Sequence, residues 1–133
     1  MHWPRALALL LAWALIAFAQ PALANHMAAE LVPEGPAAPG KPVTLAIHFT
    51  PEPGWHGYWS NPGDAGYGLE LDWHLPPGWK AGEPVYPVPQ MLSIAGLMNH
   101  VYEAEYALLV PLTGPPSATG PTPVAVDANW LVC

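Results

Sequence analysis

Apolar and polar side chains alternate with a period of two through most of the chain. Val43, Leu45, Ile47 and Phe49 interleave with Thr44, Ala46 and His48. Leu69, Leu71, Trp73 and Leu75 interleave with Glu70, Asp72 and His74. Val124, Val126, Ala128, Trp130 and Val132 interleave with Ala125, Asp127, Asn129 and Leu131. Such alternation turns every second side chain into a core and leaves the others in water, as in a strand with one buried face. Two more strands are expected. One covers Met27 to Val32. The other is long, with Tyr102, Ala104, Tyr106, Leu108 and Val110 on one face and Glu103 and Glu105 on the other. The stretch from Met91 is read as a loop leading into it.

Breakers fall between these runs. Pro33 to Pro42, Pro51 to Gly54, Pro76 to Gly78 and Gly114 to Pro123 supply turn geometry and stop helices. Val85 to Pro89 is extended, but its prolines confine it to an edge. No mature segment has helical period. Short strands with turns at this spacing predict an all-β sandwich. The Trp130–Cys133 stretch is expected to continue the last strand as a central one.

The first 24 residues follow a different rule. His2 and Arg5 precede an apolar run from Ala6 to Ala19, and Ala22-Leu23-Ala24 has the small-x-small form of a cleavage site. This is the layout of a secretory signal peptide, with an apolar run too short to span a bilayer. Residues 25–133 then form the domain, with about 46% apolar residues, an ordinary globular value. They hold only Lys41 and Lys80 against ten carboxylates, which excludes a nucleic-acid partner on charge. Proline and glycine are abundant, yet five tryptophans and five tyrosines in this part argue for a packed core.

The single cysteine, Cys133, is the last residue. In an oxidising compartment such a thiol either pairs structurally or is kept for redox chemistry, and the residues alone leave both open. A second feature is the run from Gly54 to Gly66, in which an aromatic stretch feeds an Asn61-Pro62-Gly63-Asp64 turn. Trp55 and Trp59 are read as core anchors there, and His56 and Tyr58 as polar site candidates. The histidines and methionines, with the thiol, are copper-type ligands, but no two histidines stand at a tight ligand spacing. Nucleophile-elbow, phosphate-loop and zinc-protease motifs are absent from the sequence.

Several motifs together resemble a known family. Ala29-Glu30-Leu31-Val32-Pro33-Glu34, Pro39-Gly40-Lys41-Pro42-Val43, the Gly54–Gly66 run, Leu75-Pro76-Pro77-Gly78-Trp79 and Trp130-Leu131-Val132-Cys133 resemble the N-terminal periplasmic domain of DsbD-type thiol:disulfide interchange proteins. The suppressor-of-copper-sensitivity branch is the nearest in pattern. The resemblance implies an immunoglobulin-like β-sandwich, incomplete at its C-terminus. It also implies export to the periplasm and, in the full-length protein, tethering to the inner membrane. Electrons would reach this domain from the membrane and thioredoxin-like domains of the same protein. They would leave to periplasmic thioredoxin-like oxidoreductases of the disulfide isomerase or cytochrome c maturation type.

Cys133 matches the first member of the family's cysteine pair, and the resemblance places the second a few residues further on. A one-cysteine chain would be inactive as a protein-disulfide reductase, able to form a mixed disulfide but not to resolve it. His56, Tyr58, Asn61, Asp64, His100 and Tyr102 are candidates to line the site, and a cap loop is expected around Leu97 to Tyr102. The chemistry calls for no cofactor and no metal. Gly57 and Ser60 depart from the larger polar residues expected of the branch. Two other readings compete: a copper-binding sandwich using Cys133, His56, Met91 and Met98, and a carbohydrate-binding one using Trp55, Trp59 and Tyr67.

Overall fold

A computed structural model describes residues 22–24, 26–36 and 38–133. Ten strands account for its regular structure, and no helix occurs among the described residues. They are β1 (Ala22–Ala24), β2 (Met27–Pro33), β3 (Pro42–Pro51), β4 (Gly57–Gly63), β5 (Glu70–His74), β6 (Lys80–Ala81), β7 (Gln90–Ile94), β8 (Leu97–Tyr102), β9 (Tyr106–Thr113) and β10 (Ala125–Asn129). Most of the expected leader lies outside the described residues. Ala22–Ala24 fall within them and pair with Met27–Ala29.

Three antiparallel sheets result, ordered β1-β2-β3-β9-β6, β10-β5 and β4-β8-β7. The backbone of the fold is the β3–β9 ladder, which runs in unbroken register from Pro42↔Thr113 to Phe49↔Tyr106. Its inward residues are the alternating set. Leu45, Ile47, Phe49, Leu108, Val110 and Leu112 are buried, whereas the intervening Leu109 and Pro111 are exposed. The β10–β5 pair covers this face. Leu69, Leu71, Trp73 and Trp130 pack on Met27, Ile47, Phe49, Leu108 and Val110. The outward partners of the same pair, Glu70, Asp72, His74, Asp127 and Asn129, are exposed, as alternation requires.

Four expectations are corrected. The long strand from Tyr102 to Val110 is two strands, β8 and β9, in different sheets. Glu103, Ala104 and Glu105 form the exposed corner between them, since acidic residues in this crossing are better left in water. The stretch from Met91 is a hairpin rather than a loop. Ala95 and Gly96 both take positive φ (51° and 81°), the two-residue turn that suits the twist of paired strands. The expected cap-loop segment, Leu97 to Tyr102, is therefore strand β8, paired on both edges. Finally, Trp130–Cys133 do not continue β10. Its partner β5 starts at Glu70 opposite Asn129, so the ladder ends there. Alternation nevertheless persists past the ladder: Val132 is buried, while Leu131 and Cys133 are exposed.

Candidate functional site

Cys133 reaches its position through this terminal segment. Trp130 sets an edge against Phe49 with ring centres 5.7 Å apart, and Val132 fills the core beside it. The backbone then closes on the residue before β4. The His56 N–H donates to the Cys133 carbonyl (2.8 Å), and the Cys133 N–H donates to the His56 carbonyl (3.2 Å). The thiol is thus fixed at its backbone and exposed at its side chain.

One side chain meets it, and a second stands behind that one. Tyr58, buried, lies within hydrogen-bonding reach of the Cys133 side chain. Burial, then the hydrogen bond and charge of Cys133, push the Tyr58 phenol up to about 12. It therefore keeps its proton at any pH where a thiol reacts. The His56 imidazole sits with Nε2 3.3 Å from the Tyr58 hydroxyl, ring edge to ring face. Burial lowers its pKa, and the negative charge of Glu103 opposes this more weakly. His56 is therefore neutral at pH 7. His56, Trp55, Gly54 and Glu103 line a small cleft of about 250 Å³ beside the thiol's backbone partner. Trp55, half-buried, is held from behind by His26, stacked at 3.9 Å and itself bonded to Glu52 at 2.7 Å.

The remaining candidates belong to a different group. Asp64 accepts from the Met98 N–H and gives its own N–H to the Met98 carbonyl, both at 2.8 Å. His100 donates from Nδ1 to the Asn61 carbonyl at 2.8 Å. The Asn61 side chain accepts from the Gly63 N–H. These bonds strap the β4 bulge and the following turn onto β8, and none of them reaches Cys133. Tyr102 is buried, stacks on Tyr106 at 4.1 Å and donates to the Pro87 carbonyl at 2.7 Å. Burial raises its pKa.

The structure also separates the copper-type set. Cys133 and His56 pair with one another, whereas β7–β8 register places Met91 opposite His100 and Met98 two residues from it. Of the aromatic set, Trp55 is half-buried against the core, Trp59 stands edge-on to His100 and Tyr67 is exposed.

Three contributors escaped the sequence reading. Glu103, expected only on the outward face of a strand, acts through its charge on His56. Asn99 is buried (2% exposed) and ties three segments together. It accepts from the Ala65 N–H and donates to the Leu92 and Leu97 carbonyls. Tyr106 explains Gly57, because a side chain at 57 would run into the Tyr106 ring. The departure from the family pattern at Gly57 is thus matched by a large aromatic across from it. A larger cleft, about 550 Å³, is elsewhere, lined by Pro33, Val43, Leu45, Trp79, Pro121 and Val124 among others, without a titratable side chain. On the β5–β10 pair, exposed Asp72, His74 and Asp127 bring their ligand atoms within 4.8 Å of one another, with His74 bonded to Asp127 at 2.7 Å.

A strand-only domain that presents one exposed thiol from a fixed backbone, beside a protonated phenol and a neutral imidazole, has the makings of a thiol-exchange module. Residues 28–133 match the family model described as thiol:disulfide interchange protein DsbD, N-terminal, and the chain belongs to that family. The solved N-terminal periplasmic domain of ScsB from Proteus mirabilis is similar in structure, with a TM-score of 0.62 at 19% sequence identity. The match covers 83% of this chain and 41% of that one, so the chain spans less than half of its length. At that identity the likeness speaks for the fold, which is an immunoglobulin-like β-sandwich. A comparison with curated proteins found no match.

Proposed function

We propose that this domain is the periplasmic exchange module of a membrane-tethered protein-disulfide reductase, exported by the leader at residues 1–24. It carries reducing equivalents to thioredoxin-like oxidoreductases. The observation that supports this reading best is the exposed Cys133 thiol pinned to His56 by a reciprocal pair of backbone bonds. Thiol exchange needs a sulfur that a partner can approach in line with its disulfide, and a rigid backbone sets that direction once.

The Cys133 thiolate attacks one sulfur of the partner's disulfide. A new S–S bond forms, the partner's bond breaks, and its second sulfur leaves as thiolate and takes a proton from water. A second cysteine, which the family resemblance puts a few residues after Cys133, then attacks the mixed disulfide. The partner leaves with both thiols reduced, and the domain keeps the disulfide until the membrane domain reduces it. Tyr58 can offer its O–H to the Cys133 sulfur, and His56 can donate from Nε2 to the Tyr58 oxygen. Both groups would orient the thiol rather than exchange electrons.

The test uses a thioredoxin-fold isomerase whose surface active-site cysteine is activated as a mixed disulfide with thionitrobenzoate and whose buried cysteine is replaced. The reduced chain should release one equivalent of the yellow thiolate and form a covalent 1:1 adduct that dithiothreitol reverses. Cys133→Ser should form none. Adduct formation no faster than with a small activated disulfide would overturn the reading.

A further inference from the structure

The second ligand group lies on the outer face of the β4-β8-β7 sheet, and the register of that sheet assembles it. Directly opposed residues of an antiparallel pair share a face. Met91 stands opposite His100 and Ser93 opposite Met98. Leu92, Asn99 and Val101 take the other face; Asn99 and Val101 are buried. The outer face therefore carries Met91, Met98 and His100 as neighbours. On the next strand, Trp59 sets its ring edge-on to His100 with centres 5.4 Å apart. Opposed Cβ atoms are about 5 Å apart and diagonal ones about 7–8 Å, spans that two methionine side chains and an imidazole can close onto one ion.

Three details distinguish this face from ordinary exposed apolar surface. Met91 is 74% exposed and Met98 40%, so both thioethers are accessible. The His100 Nδ1–H is committed to the Asn61 carbonyl at 2.8 Å, which fixes the tautomer and leaves the lone pair on Nε2. That is the arrangement metal-ligating histidines use: one nitrogen oriented by a carbonyl, the other on the ion. No lysine or arginine lies on β4, β7 or β8, so no fixed cation opposes another.

We propose that Met91, Met98 and His100 form a binding site for a soft monovalent cation, Cu(I) or its redox-silent analogue Ag(I), with the Trp59 indole beside it. Thioether and imidazole donors favour a soft d10 ion over Zn(II) or Mg(II). Neither thioether has to lose a proton to bind, and neither can be lost to a disulfide in an oxidising compartment. An indole within about 6 Å of a bound cation adds attraction through its ring face. The site shares no residue with the Cys133 constellation.

The test is Ag(I) titration of the full chain carrying Cys133→Ser, so that the thiol cannot compete. One equivalent should bind saturably and quench tryptophan fluorescence. Met91→Leu and Met98→Leu, at exposed positions that leave folding intact, should each weaken binding at least tenfold, and Trp59→Phe should remove the quenching while Ag(I) still binds. His74→Gln, on the other sheet, should change nothing. Absence of saturable binding, or unchanged affinity in the Met91→Leu/Met98→Leu double variant, would overturn the proposal. Either result leaves the thiol-exchange reading untouched, since that is tested on Cys133.

Discussion

The β3–β9 ladder and the β4-β8-β7 sheet are built on different principles. In the first, apolar shape specifies everything. Eight successive pairs keep register, alternate side chains are buried, and the core they form needs no polar group. In the second, the β4–β8 pairing breaks between Tyr58 and Gly63, and polar bonds from Asn99, Asp64 and His100 hold the pieces together. The chemistry sits at the second, and at its junction with the chain end. A uniform apolar ladder offers no place to hold a tyrosine against a thiol, whereas a broken one does.

The largest effect should come from breaking the apolar side of that contrast. Phe49 is fully buried and touches both Tyr106 and Trp130, with ring centres at 5.1 and 5.7 Å. Phe49→Ala leaves a cavity between the two layers and should cost about 3–5 kcal/mol, a large part of a small domain's total. Urea unfolding reads this directly. Because Trp130 leads to Cys133, the same variant should also slow adduct formation with the activated isomerase. A loss below about 1 kcal/mol would show that the two layers are not joined at Phe49.

Breaking the polar side should be milder and more local. Asn99→Ala removes three hydrogen bonds and leaves the Ala65 N–H without its acceptor. The expected cost is about 1–3 kcal/mol, less than for Phe49. Hydrogen exchange should show it first at Ala65 and in the β7–β8 hairpin, with the β3–β9 amides still protected. Uniform loss of protection would mean that the two regions unfold as one unit and that the contrast does not extend to dynamics.

The same contrast decides what could be read from the sequence. Alternation in Val43–Phe49, Leu69–Leu75 and Val124–Val132 revealed each buried face correctly, even at Val132, beyond the end of its ladder. Period two fails where it must. From Tyr102 to Val110 the apolar face is continuous, but the chain turns at Glu103–Glu105 and changes sheet, and face parity carries no information about a corner. The β7–β8 hairpin was missed because its turn has alanine, not asparagine, before glycine, and its strands are apolar on both faces. At the site, Cys133, His56 and Tyr58 were legible as residue types, and the structure brings them together. Asn61, Asp64 and His100 were legible as polar but not as a separate group, since that depends on the strand register.

Tyr58→Phe sharpens the comparison without breaking either region. The ring stays, packed on Gly66, and only the hydroxyl shared with His56 and the thiol is lost. Stability should change by less than about 1.5 kcal/mol, the net worth of an ordinary hydrogen bond. The rate of adduct formation at Cys133 should fall by more than that change in folding accounts for, and its pH profile should move. An unchanged profile would make Tyr58 a packing residue only.

The smallest effect is a pair of opposed titrations, one beside the thiol and one on the β5–β10 pair that covers the apolar ladder. His56, beside the thiol, has its pKa lowered by burial, so above the ordinary value of 6.5 it is neutral in both folded and unfolded chains. As pH falls through 6.5 the unfolded chain takes up the proton first, and stability declines until the folded pKa is passed. His74, on the β5–β10 pair, is raised by its hydrogen bond and then by its charge interaction with Asp127, so the sign reverses. Its stabilisation is complete below 6.5 and is lost as pH rises through the folded value. His74 and Asp127 are exposed, which keeps that contribution small and sensitive to salt. Between pH 8 and 5.5 the two partly cancel. Urea midpoints for His56→Gln should therefore rise on acidification relative to the parent, and those for His74→Gln should fall, with only the His74 difference shrinking in 1 M salt. Equal salt sensitivity of the two would mean that His56 is solvated in solution, and the polar group around Cys133 would then lack the burial that distinguishes it from surface.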